Sequence, residues 1–439
     1  MIAAAYAPLK AGALVEVTTA ADDLADALAS QLNGRKVETP GGNADVVILT
    51  EGLTHANTTE RHWRVLEAAR QARRPGGRLI LLQGPVADTG LEGLSRTLRK
   101  EWPDTEVITW TLSGASAPEM ARDIAQALAS GLGQGSLYQS GVSEPVAGNL
   151  LAPRALVSLP ADPVWLITGG ARGVTAACAI RLAADAGGTF LLAGRSAVTP
   201  WPQGLPDATD LKTLRGLMAA SAKASGEKLS PMALDKAARA ALAGREIRET
   251  LGAIASAGGR AVYLQVDAGD PASVERALAS ARETYGAITG LVHGAGVLAD
   301  RLVMEKTEAE LRSVFAPKVG GLQNILSVLG PAHLSHVALF SSAAAFFGNR
   351  GQSDYAMANA ILARTGQSIA QANHGAQVKV FHWGPWAGGM VDAALAGHFE
   401  AQGIPLIPID EGARIFSSEL LGGDRAQVEL VVGEAWAAA

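Results

Sequence analysis

Val164-Trp165-Leu166-Ile167-Thr168 runs into Gly169-Gly170-Ala171-Arg172-Gly173-Val174, and an alanine-rich stretch of helical length follows. A continuous apolar run of this length, without polar alternation, is the pattern of a strand buried on both faces. A strand, a glycine turn and a helix start in that order form a seat for a dinucleotide pyrophosphate: the glycines let the backbone approach, and the helix start aims free N–H groups at phosphate oxygens.

Outward from this stretch, short apolar runs alternate with amphipathic helical segments along the chain. In the second half they recur at Phe190–Ala193, Val262–Val266, Leu291–His293, Val337–Phe340 and Val378–His382. In the first half they fall at Ala44–Thr50, Arg78–Gln83 and Glu106–Thr111. This rhythm predicts an α/β protein with two Rossmann-like, doubly wound parallel-sheet subdomains. At 439 residues the chain is too long for one ordinary core, which agrees with two units. The two halves also match locally. Leu94-Ser95-Arg96-Thr97-Leu98, leading to Ile108-Thr109-Trp110, parallels Leu362-Ala363-Arg364-Thr365-Gly366, leading to Val380-Phe381-His382-Trp383. The first half has no glycine turn between its opening strand and helix (Leu14 to Leu32), and no Tyr between Gly84 and Gly93, so it is expected to lack a cofactor site. The boundaries are placed at 1–150 and 151–439, with Gly141–Pro160 as the junction.

Cofactor chemistry follows from the strand ends. Where a 2′-hydroxyl-binding enzyme carries Asp or Glu, this chain has Gly194-Arg195-Ser196, suited to a 2′-phosphate, and Arg172 adds a second cation. NADPH is therefore expected over NADH. Asp267-Ala268 is positioned to hold adenine, and Gly294-Ala295-Gly296 to pack against the nicotinamide ribose. No metal is expected.

Phe340-Ser341-Ser342 closes an apolar strand, and Tyr355 opens a helix thirteen residues after Ser342. A Tyr can supply the proton that a carbonyl oxygen needs as hydride reaches the carbon, and a Ser hydroxyl can polarise that oxygen. Ser341 reads as a strand-end hydrogen bond. A short-chain dehydrogenase carries Lys four residues after the Tyr, where this chain has Asn359; a Lys stands upstream at Lys318.

That exchange of Lys and Asn resembles the ketoreductase domains of type I polyketide and polyunsaturated fatty acid synthases, within the short-chain dehydrogenase/reductase superfamily. Thr168-Gly169-Gly170, Gly194-Arg195-Ser196 and His293-Gly294-Ala295-Gly296 carry the same resemblance. Gly351-Gln352-Ser353-Asp354-Tyr355 and the run Trp383–Met390 look most like the polyunsaturated-fatty-acid type. The resemblance implies Tyr355 as proton donor and Ser342 on the carbonyl oxygen. It implies Lys318 to lower the Tyr pKa and hold the ribose, and Asn359 to support the proton relay. It implies a β-ketoacyl substrate on the phosphopantetheine arm of an acyl carrier protein, with other synthase domains as neighbours. Leu298-Ala299-Asp300, in place of Leu-Asp-Asp, and Phe347, where the opposite stereochemical group has Trp, imply the D (3R) alcohol. The stretch from Trp383 to Gly403, with Met390 opening its amphipathic run, resembles a lid over substrate.

Some readings exclude partners, and others stay open. The net charge of −5 carries no block of Lys or Arg, which argues against nucleic acid. No apolar run approaches membrane length, and the single cysteine, Cys178, fits packing in a reducing cytoplasm. The interval between Ser196 and Val262, about 65 residues, exceeds one crossover. Ser230-Pro231 predicts a helix start within it, so a helical insertion at about 197–257 is expected. A free-standing dehydrogenase for a small alcohol or coenzyme A thioester, an NADPH-binding scaffold and an epimerase remain as alternatives.

Overall fold

The computed structural model describes residues 8–54, 57–85, 88–112, 116–130, 137–139, 158–389, 391, 393–401 and 403–433. Strands β1 (Val15–Thr18), β2 (Arg35–Val37), β3 (Val46–Leu49), β4 (Arg78–Gln83), β5 (Glu106–Leu112) and β6 (Leu137–Gln139) form one sheet in the order β2-β1-β3-β4-β5-β6. It is parallel except for the short edge pair β5/β6. Strands β7 (Val164–Thr168), β8 (Thr189–Gly194), β9 (Arg260–Gln265), β10 (Gly290–His293), β11 (His336–Ser342), β12 (Gln377–Trp383) and β13 (Glu429–Val432) form a second, fully parallel sheet. Its order is β13-β12-β11-β10-β7-β8-β9.

The predicted fold class is what the structure has. Five strands of one sheet repeat the connectivity of five in the other, with β2-β1-β3-β4-β5 answering to β8-β7-β10-β11-β12. The sequence match noted above sits at equivalent places, the helix Leu91–Glu101 before β5 and the helix Ser353–Ala372 before β12. The expected junction lies outside the described residues except for 158–160.

Those two helices pack with their backbones nearly in contact. A Cβ at Gly90 would lie 2.6 Å from the Met357 carbonyl oxygen, and one at Gly93 would collide with the Ala356 carbonyl. Gly348 closes on the Arg96 backbone in the same way. Arg364 reaches across to the Glu92 carboxylate at 2.6 Å and to Thr111 Oγ1 at 3.2 Å. Glu92 also accepts from Gln83 at 2.8 Å. Gly93→Val is therefore expected to destabilise the whole chain by about 2–3 kcal/mol. A lowered melting temperature with weakened turnover would record it, and an unchanged melt would mean that the helices separate without cost.

The long interval after β8 holds two helices, Leu211–Ser225 and Pro231–Ser256. The helix Pro231–Ser256 starts with the Ser230 hydroxyl accepting from Ala233 N and Pro231 in its first turn. It packs with the helix Leu211–Ser225 around Leu214, Ala238 and Ala241. Its far end enters the second sheet's core through Ile247 and Ile254. Its place is beside the glycine turn, not on the first sheet.

Candidate active site

β7 and β10 are neighbours whose next partners lie in opposite directions, so the crevice beyond their carboxyl ends is where an α/β sheet takes a ligand. Gly169 (φ +70°) brings the first turn to within 3.1 Å, measured from a built Cβ, of the Gly294 carbonyl oxygen. Gly173 (φ +59°) opens the helix Gly173–Ala186 at the cleft wall beside Val174. Gly170 differs: a Cβ there would meet Ile167, so its smallness serves packing.

One end of the crevice is a pocket of about 250 Å³ lined by Thr168, Gly169, Arg172, Gly194, Arg195, Ser196, Asp267, Ala268, Ala295 and Gly296. Arg195 is exposed and has no ion-pair partner among the described residues. Arg172 pairs with Glu246 of the long helix. From the same helix Ile247 lines the pocket, and Thr250 Oγ1 donates to the Ala171 carbonyl at 2.9 Å. The Asp267 carboxylate accepts from Gly269 N at 3.0 Å, which shapes its turn while it faces the pocket.

The other end is a cleft of about 640 Å³ that brings Lys318, Ser342 and Tyr355 together with Gly294, Ala295, Gly296 and Leu298. Lys318 sits on a π-helical turn, Ala316–Gly320, and is buried. Such an irregularity turns a side chain inward that a regular helix would aim elsewhere. Its Nζ donates to the Phe340 carbonyl at 2.9 Å and stands 5.4 Å from the centre of the Tyr355 ring. A Cβ on Gly296 would press on the Lys318 side chain at 3.0 Å, so this glycine is the amine's passage. Burial pulls the Lys318 pKa down to about 7. Burial pushes the Tyr355 hydroxyl up to about 12, against the Asn359 and Ser342 side chains, which hold it down.

Ser342 Oγ accepts from Ala344 N at 3.1 Å, which leaves its own hydrogen for an acceptor in the cleft. Asn359 is buried; its amide donates to the Tyr355 carbonyl at 2.8 Å while its Oδ1 has no hydrogen-bond partner among the described residues. An orphaned acceptor of this kind fits a site that receives a further donor. Ser341 also lines the cleft, but its hydroxyl is taken up by donating to Asn359 O at 3.0 Å and contacting His382 Nδ1, in keeping with its strand-end reading.

Three expectations fare differently. Phe347 packs edge-on against Phe346 and is not among the residues lining the cleft. Met390 lies outside the described residues, although Val391, Leu395 and Phe399 from the expected lid line the cleft and the helix Ala393–Ala401 is present. Asp300 accepts from Gln352 at 2.9 Å near the cleft mouth. His293, named in the sequence only as the first residue of the strand-end motif and given no role, is buried and kept neutral, its pKa lowered to about 3 chiefly by burial. Its Nε2 donates to the Lys318 carbonyl at 2.9 Å and its Nδ1 accepts from Thr168 at 2.9 Å, so it ties the first strand's end to the lysine turn. A single His at the end of an apolar strand offered no signal for this. Among the described residues no helix is long and apolar enough to cross a membrane, and no cluster suits a metal.

A doubly wound sheet with a glycine turn, two arginines at one end of its crevice and a Tyr–Ser–Lys–Asn group at the other is the arrangement of an oxidoreductase of the short-chain reductase type. The sequence profile of the KR domain matches residues 163–388, and the chain belongs to that family, the ketoreductase domains of modular synthases. It is 35% identical over 353 residues to a polyunsaturated fatty acid synthase polypeptide of Thraustochytrium sp., covering 76% of this chain and 12% of that protein. It is 36% identical over 156 residues to the polyketide synthase PksL of Bacillus subtilis, 34% of this chain and 3% of that protein. The chain thus spans a small part of the length of these relatives. Among solved structures, the ketoreductase from the first module of phoslactomycin biosynthesis in Streptomyces sp. HK803 has the same fold, with a TM-score of 0.69 at 20% identity. That match covers 98% of this chain and 90% of the other. An A-type ketoreductase from a modular polyketide synthase matches at 0.68 and 19% identity, covering 98% and 91%.

Proposed function

We propose that this chain reduces a β-ketoacyl thioester, carried on the phosphopantetheine arm of an acyl carrier protein, to the D-β-hydroxyacyl thioester with NADPH, as the reductive step of a larger cytoplasmic synthase. The observation that carries the reading is the convergence of Lys318, Tyr355 and Ser342 in one cleft continuous with an arginine-bearing nucleotide pocket. NADPH would supply the hydride. Arg195, Arg172 and Ser196 would hold its 2′-phosphate, and Gly169, Gly173 and the helix start its pyrophosphate. Ser342 would donate its free hydrogen to the ketone oxygen, and Tyr355 would deliver the proton to that oxygen. Protonated Lys318 would stabilise the resulting phenolate, and Asn359 Oδ1 would receive a proton-relay donor, a water for instance. Leu298 and Asp300, at the cleft mouth on a loop tied to Gln352, support the D assignment.

The test is NADPH consumption with a short β-ketoacyl N-acetylcysteamine thioester and chiral separation of the alcohol. Turnover that prefers NADPH and gives the D alcohol supports the whole reading, whereas the L alcohol would overturn the stereochemical part. NADPH binding without turnover, repeated with carrier-bound substrate, would move the reading to a scaffold or an epimerase. The charge pattern around the pocket makes a separate prediction. Arg195→Ala is expected to raise the NADPH Kd about ten-fold with little change for NADH. Glu246→Gln, which frees Arg172, is expected to tighten NADPH alone by about two- to three-fold. Fluorescence titration with both nucleotides reads both effects; equal shifts for NADH would sink the assignment.

A further inference from the structure

The half without a nucleotide turn sends a carboxylate behind the segments that frame the cleft. Glu101 ends the helix Leu91–Glu101. Its Oε1 accepts from Gly351 N at 2.8 Å and its Oε2 from Val303 N at 2.8 Å. Gly351 (φ +79°) belongs to the turn that starts the Tyr355 helix, four residues before the tyrosine. Val303 belongs to the loop that carries Leu298-Ala299-Asp300. One side chain from the other sheet therefore joins the two segments that frame the cleft mouth.

The surrounding bonds show that this junction is built. Arg301 N donates to the Gly351 carbonyl at 2.8 Å. Lys306 and Asp354 form an ion pair at 3.0 Å with both side chains out of solvent, and Lys306 also donates to the Ala299 carbonyl. Asp354 Oδ1 accepts from Tyr355 N at 2.9 Å, and Gln352 reaches Asp300 on the cleft side. Arg70, from the same half as Glu101, closes the outside by donating to the carbonyls of Val303 and Lys306. Glu101 does not line the cleft.

We propose that Glu101 is a positioning residue for the reduction, fixing the Tyr355 turn and the Leu298–Asp300 loop in register. The inference rests on the proposed ketoreduction. Two N–H donors facing one group need an acceptor at both ends, which a carboxylate provides and an amide does not: Gln presents an NH2 to one of the N–H groups. Misplacing reacting groups by about 1 Å can cost up to ~10²-fold in rate.

Glu101→Gln is tested in the full chain, below its melting temperature, for NADPH affinity, kcat, KM and alcohol configuration. The expected result is an NADPH Kd within about two-fold of wild type, kcat lowered about ten-fold or more, and a product less enriched in one configuration. Arg364→Met, which breaks a pair across the same interface away from this loop, should lower the melting temperature while keeping kcat and configuration. Wild-type kcat and configuration in Glu101→Gln, with or without a lower melt, would overturn the proposal. So would an Arg364→Met variant that loses kcat and configuration to the same degree. Should Glu101→Gln fail to bind NADPH, Glu101→Asp replaces it with the same expectations, its arm being too short to reach both donors. A wild type that binds NADPH yet turns over no β-keto thioester would overturn the ketoreduction and this role together. Normal wild-type turnover matched by the Glu101 variants would overturn this role alone.

Discussion

Tyr355→Phe is expected to lower kcat for β-keto thioester reduction about 10³-fold while NADPH binds within about two-fold of wild type. The phenol is half-buried in the cleft wall, and burial pushes its pKa up to about 12, so in the free protein it is a loaded acid throughout the neutral range. Asn359 and Ser342 pull the other way, favouring the phenolate that donation leaves behind. Phe keeps the ring and its packing beside Lys318, so the change removes one hydroxyl and little else. What remains is the Ser342 hydroxyl and the geometry of the cleft, enough for a residual rate but not for direct proton delivery. Single-turnover NADPH oxidation measures the loss. A variant retaining a tenth of the wild-type rate would show that another group, or solvent, delivers the proton.

The fold was legible because its inner strands are continuous apolar runs, as in Val164-Trp165-Leu166-Ile167, which no solvated segment tolerates. The edges were not. β2 is Arg35-Lys36-Val37, largely exposed, and carries no hydrophobic signal, while β13 is a four-residue strand with every position partly open. The four residues expected to do the chemistry were proposed through the family resemblance, and the cleft gathers three of them directly with the fourth behind the tyrosine. Phe347 was counted by its distance from Tyr355 along the chain. The short helix Ala343–Phe347 and the turn at Gly348 turn it toward Phe346 instead. Glu101, Lys306 and Asp354 were invisible for another reason: a lone charge in a helical or loop sequence reads as a solvated surface group. Only the packing of the two sheets reveals that it is buried or bridging. Glu246 and Thr250 were hidden likewise, inside a segment whose length was readable but whose destination was not.

Lys318→Met is expected to abolish useful turnover, about 10²- to 10³-fold in kcat, and at the same time to stabilise the cofactor-free protein. Both effects come from one buried amine. Its surroundings lower its pKa from 10.5 to about 7, chiefly by desolvation. Above about pH 10.5 the amine is neutral in both the folded and unfolded chain and costs nothing. As the pH falls below that value the unfolded chain takes up the proton and the folded chain does not, so stability is lost progressively until about pH 7 and is level below it. Met keeps the length and apolar stem of the side chain without the charge, at the price of the hydrogen bond to the Phe340 carbonyl. The net gain at neutral pH should be on the order of 2 kcal/mol. It should shrink when the melt is repeated near pH 9.5, a limit set so that tyrosine ionisation in the unfolded chain stays small. Thermal melts of both proteins without nucleotide, at about pH 7 and about pH 9.5, read the difference directly. A wild type as stable as the variant at both pH values would mean that Lys318 stays fully protonated in the empty site. An unstable variant would mean that the amine's bond to Phe340 and its place over the Tyr355 ring outweigh its desolvation. On the expected outcome, the fold bears at rest a strain that the reaction uses: an amine held ready to lose or take a proton beside the acid it is meant to assist.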